Sequence, residues 1–103
     1  DHAGELETSM ALALFPELVE LEQADIGTSR PFQFDALEQG RIKTSRKFSN
    51  LNDHCGNSDP SLATEEKGQQ YLDFICQRIS DFLIELAEAE INDHFPHVPE
   101  IKH

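Results

Sequence analysis

The sequence predicts part of an α/β fold, and three observations carry that expectation. Two helical patterns, over Glu5–Leu14 and from about Thr64 to about Ala89, are separated by a long stretch with little periodicity. The second pattern is a long amphipathic helix whose apolar stripe must be covered by something. One long and one short helix do not enclose a core, and a parallel sheet is the natural layer for them to cover. Its strands are mostly not among these 103 residues. The chain therefore reads as part of a larger α/β protein.

Each element has a local reason. In the first helix Leu6, Met10, Ala13 and Leu14 recur at helical spacing, with Gly4 just before them. Pro16 ends it, because the residue before proline is pushed out of helical space. Leu18, Val19 and Leu21 then form a short apolar stretch that reads as a strand or a further turn. From Ala24 to Asp59 the chain is rich in Ser, Asn, Asp and Gly, and "PFQFDAL" alternates as one short strand would. Irregular segments of this length are usually functional, so the loop is expected to help build a pocket. Thr64 is the expected N-cap of the second helix, with Glu65 and Glu66 in a first turn that favours negative charge. Tyr71, Leu72, Ile75, Ile79, Phe82, Leu83 and Leu86 trace its stripe. Core packing is the simpler account of that stripe, and a partner-binding face is the rival. The tail "DHFPHVPEIKH" should be irregular.

Charge narrows the function. The formal net charge is −12, which argues against nucleic acid and anionic membrane surfaces as partners. Five of the eight basic residues (Arg30, Arg41, Lys43, Arg46, Lys47) lie in the central stretch, interleaved with Asp35 and Glu38. They read as a loop offsetting acidic neighbours, with an anion-binding patch as the alternative. Cys55 and Cys76 make no metal-ligand spacing, and Cys76 is expected to behave as a small hydrophobe on a helix face. No sequon and no apolar run of membrane length is present, so a cytoplasmic setting is expected.

The opening "DHAGELETSM" holds the candidate chemistry. On a helical wheel Glu7 falls on the side of Met10, Ala11 and Leu14, while Glu5 lies nearly opposite and should be solvated. A lone carboxylate on an apolar face is costly unless it is paired, hydrogen-bonded or metal-bound. His2, flanked by Asp1, can serve as a general acid or base near neutral pH. The small pair Ala3-Gly4 would let a ligand or another backbone come close. "NLNDHC" places Asp53 beside His54, where a polar turn is the simpler reading.

"DHAGELETSMALALFPELV" resembles the signature of the creatininase, or creatinine amidohydrolase, family. The matching residues are His2, Gly4, Glu7, Thr8, Ser9, Pro16, Leu18 and Val19. A second resemblance lies in "GNSDPSLATEEKGQQYL", at Asp59, Pro60, Ala63, Thr64, Glu66, Lys67 and Gly68. The resemblance implies the C-terminal part of a three-layer fold, with a parallel-rich sheet and helices on both faces. It implies a metal-dependent hydrolase of a non-peptide C–N bond, in a cyclic amide or formamide, using two divalent metals such as zinc, manganese or iron. His2 would hold substrate and shuttle a proton to the leaving nitrogen, Asp1 would assist, and Glu7 would lie at the metal centre. The main metal ligands of the family come from upstream motifs absent from this sequence. Residues 1–103 are thus expected to be a C-terminal fragment of one domain, inactive alone, whose partners are the missing N-terminal part, a small-molecule amide and further copies in a homo-oligomer. The rival readings are a non-enzymatic interaction module and a catalytically inactive family member.

Overall fold

A computed structural model describes residues 2–102 and divides the chain into two compact units, Asp1–Leu72 and Asp73–His103. Among the described residues there are four α-helices: α1 (Glu5–Leu14), α2 (Asp35–Glu38), α3 (Phe48–Leu51) and α4 (Glu65–Glu88). Two 3₁₀ turns, Pro16–Leu18 and Leu21–Gln23, follow α1. Among the described residues there is no strand, so the expected parallel-rich sheet with helices on both faces is not seen.

The reason lies in where the backbone donors go. The Leu18 and Val19 amides donate to Phe15 and Pro16 carbonyls, and the Ala24 amide donates to Leu21. These are turn bonds, so the stretch around Val19 takes the further turn rather than the strand. In "PFQFDAL" the Phe32 amide donates to Glu38 Oε2 at 2.8 Å, and Phe34 becomes the N-cap of α2. Alternation suggested a strand there, but a single acidic side chain captures the donor and closes a turn instead.

The ends of the two main helices follow the expected chemistry. Phe15 sits at φ −150°, outside helical space, before Pro16. Thr64 caps α4, its Oγ1 accepting the Lys67 amide at 3.1 Å. Among the described residues, 90–102 form turns and bends with neither helix nor strand.

Within the first unit, α1 and the start of α4 meet backbone to backbone. Gly68 is buried, and a Cβ there would overlap the carbonyl group of Ser9 and reach the Met10 amide nitrogen. Ser9 is fully buried, and its hydroxyl oxygen accepts the Thr64 amide at 3.1 Å. Lys67 Nζ donates to Glu5 Oε1 at 2.6 Å and to the Leu62 carbonyl at 2.7 Å. Glu5 is therefore ion-paired rather than simply solvated.

The buried apolar interior is small. Among the described residues Leu51 is the buried large hydrophobe. Its burial is worth about 2 kcal/mol. The α4 stripe is only partly covered: Tyr71, Leu72 and Ile75 are half-buried, whereas Ile79, Phe82 and Leu83 in the second unit are more than half exposed. Cys76 is also exposed, and both cysteines are free thiols, so Cys76 is not tucked into a face as the helix pattern suggested.

Gly68→Ala tests the helix contact by its sign. In an open helix this change stabilises by about 1 kcal/mol. Here the new methyl group meets backbone that cannot swing aside, so a net loss of about 1–3 kcal/mol is expected. The denaturant or thermal midpoint reads the outcome, and a raised midpoint would show that the two backbones are not in contact.

Candidate active site

The first residues are anchored by the loop that follows α3. The His2 amide donates to Asn57 Oδ1 at 3.1 Å, and the Asn57 amide donates back to the His2 carbonyl at 3.0 Å. Gly56 is buried against the same segment, and a Cβ there would lie 3.3 Å from the Ala3 methyl. Ala3 takes φ +55°, a left-handed turn that swings the chain into α1. The His2 ring is solvent-exposed and packs edge-to-face on Phe48 of α3, with centroids 5.1 Å apart and planes at 67°.

Glu7 is the third residue of α1, and its Oε1 accepts the Ala3 amide at 3.2 Å. This is the reach-back of a helix N-terminal acid, which satisfies a donor that the helix cannot. The wheel placed Glu7 among apolar residues, yet it is exposed, and Ser9 is the buried position of α1. The Ala3 amide that Glu7 accepts belongs to the residue next to His2. Asp1, the other candidate, lies outside the described residues.

The 52–57 loop is held by Asn52, which is 7% exposed. Its Nδ2 donates to the Gly56 carbonyl, and its Oδ1 accepts the His54 amide at 3.1 Å. Asp53 accepts both bonds of a 2.7 Å pair from Arg30, whose own amide donates to the Leu51 carbonyl. His54 Nε2 stands 3.7 Å from Asp25 Oδ2. These residues line a groove of about 460 Å³ in the segment expected to build a pocket.

Opposite Arg30, Asp53 is held below the usual carboxylate range, chiefly by the hydrogen bonds and then by the charge, and the Arg30 guanidinium is pushed up by the same pair. Of the basic stretch, Arg30 meets an acid and Arg46 lies over the Phe32 ring at 5.0 Å.

Sequence patterns did not single out Asn57, Phe48 or Asn52. Asn57 lies inside the quoted "GNSDPS", but nothing in a linear reading shows that its side chain turns back to His2. Among the described residues no group of three His, Cys, Asp or Glu side chains could hold a metal ion. No helix among them is long and apolar enough to cross a membrane.

Comparison with known proteins follows the same residues. The family model described as Creatininase: Creatinine amidohydrolase matches residues 1–83. A protein assigned as a creatinine amidohydrolase from Bacteroides fragilis is 33% identical, with a TM-score of 0.82 over 90% of this chain and 37% of its own. A creatininase variant complexed with creatine is 26% identical, with a TM-score of 0.60 over 84% of this chain and 31% of its own. Zn-Zn and Mn forms of creatininase match at the same identity and coverage, with TM-scores of 0.58. This chain thus spans about a third of the length of those structures. No curated protein matches it. The residues described here do not by themselves fit a pair of metal ions: Glu7 is a single carboxylate, and one of its oxygens already accepts the Ala3 amide.

The Arg30–Asp53 pair gives a pH test. Because the folded value of Asp53 is depressed, the pair supports the loop above the free-aspartate value of 3.8, and the support is lost as pH falls through the depressed value. Carboxyl-carbon NMR should place the Asp53 midpoint below 3.8, and Arg30→Ala should return it toward 3.8. A midpoint unmoved by that substitution would rule out the pair as the cause.

Proposed function

We propose a function from one premise: this chain belongs to the creatininase (creatinine amidohydrolase) family. In this reading the complete protein is an amidohydrolase that cleaves a non-peptide C–N bond in a small cyclic amide or formamide. Residues 1–103 form the C-terminal part of its domain, and the N-terminal part is their first partner. The observation that supports it most is that the matched region includes the His2–Glu7 segment at the entry to α1.

The work assigned to this chain is substrate handling and proton transfer. Water adds to the amide carbonyl carbon, the C–N bond breaks, and the leaving nitrogen takes a proton. An exposed imidazole at a fixed backbone position can deliver that proton and recover one from water. His2 has this exposure and this anchoring. Asp1, adjacent in sequence, assists it in this reading. Glu7 contributes toward the metals. The zinc and manganese forms of the similar creatininases support divalent metal dependence, with zinc, manganese or iron held mostly by residues outside this chain. The reading also includes a cytoplasmic homo-oligomer.

His2→Ala in the complete protein is the test. It should leave metal content nearly unchanged and lower kcat by about 10²–10⁴-fold on a cyclic amide or formamide. His2→Asn should be equally poor, since an amide hydrogen-bonds but carries no proton. Metal analysis by mass spectrometry beside turnover decides it. Loss of a metal equivalent would make His2 a ligand, and full activity in both variants would remove the motif from catalysis.

A further inference from the structure

His2 is gripped at two points by one short segment. Asn57 holds its backbone through a reciprocal pair of hydrogen bonds, and Phe48 holds its ring edge-to-face. Between these points the chain is stiffened by Asn52, which is buried and bonded at both ends of its amide to residues 54 and 56. Gly56 allows the close approach to Ala3. We infer that Phe48 and Asn57 are positioning residues for His2, fixing the place and the plane of its imidazole for a proton transfer to or from a bound small amide.

The physical argument is one of freedom removed. An exposed histidine side chain samples several rotamers, and only some aim a ring nitrogen at a substrate. Pinning the backbone removes the swing of the whole residue, and an aromatic edge contact selects the ring orientation. A group held in reacting geometry raises turnover without tightening substrate binding, so loss of positioning should appear in kcat rather than KM. The Asn57 backbone bond is kept in both Ala and Asp variants, so only the Oδ1 acceptor is removed by Ala, and Asp restores it. Ser58 Oγ donates to the same oxygen at 3.3 Å, so a carboxylate there also keeps its second partner.

The inference rests on the catalytic reading of His2, and the test separates the two. In the complete protein, Phe48→Leu should lower kcat by roughly 2- to 10-fold and Asn57→Ala by roughly 10-fold, with KM little changed. Asn57→Asp and Phe48→Tyr should recover most of the loss. Independently of activity, NMR reads the His2 ring protons. If Asn57 keeps the ring on Phe48, its replacement by Ala should move those shifts toward the values seen in Phe48→Leu, while Asn57→Asp leaves them in place. Full kcat in Phe48→Leu and Asn57→Ala, beside a crippled His2→Ala, overturns the inference and leaves the catalytic reading standing. Should His2→Ala itself remain active, the catalytic reading falls and with it the role in proton transfer. Unmoved His2 shifts in Asn57→Ala overturn the inference whatever the rates.

Discussion

The closest constraint in the first unit is the meeting of Gly68 with the backbone of Ser9 and Met10. Two helices normally stand 8–10 Å apart because side chains separate their axes. Here a missing Cβ brings the first turns of α4 onto the peptide groups of α1. Such an approach buries polar backbone, which must be satisfied. The buried Ser9 hydroxyl, accepting the Thr64 amide, does so at the cap of α4. The Lys67–Glu5 pair closes the rim, but it is half exposed and contributes little beyond register.

That contact explains why two separate sequence motifs belong together. Ser9 and Glu5 stand in the first, and Thr64, Lys67 and Gly68 in the second. Their partners are each other. Asn57, between them in the chain, completes the arrangement by holding His2. Part of the same string also serves packing. One oxygen of Glu7 serves the helix entry, Ser9 serves the helix crossing, and the exposed ring of His2 packs on Phe48.

Small residues rather than large ones make this unit close. Gly27 shows the same device: it takes φ +70°, a Cβ there would strike the backbone of Ser58, and its amide is tied to Asp25. With Leu51 as the buried large hydrophobe among the described residues, tight backbone contact and local hydrogen bonds carry more of the organisation than apolar volume does. Such a unit is sensitive to added methyl groups at its glycines and tolerant of change on its apolar surface.

The sequence by itself determined the two main helices and their ends, because periodicity, the Thr64 cap and Pro16 are local signals that act within a few residues. It also pointed to the family through residues that match in order. It left the stretch around Val19 open between strand and turn, which the structure settles as 3₁₀ turns, and it misjudged the segment around Phe32 as strand. Alternation cannot tell whether a backbone donor will meet a neighbouring strand or, as at Phe32, a nearby carboxylate. A wheel placed Glu7 on the covered side of α1, but the covered side is set by what packs there, and Gly68 packs on Ser9. Only the tertiary structure decided that Asn57 and Phe48 hold His2. Those contacts join residues about 50 positions apart, and no local pattern encodes which distant side chain will turn back to meet a given backbone.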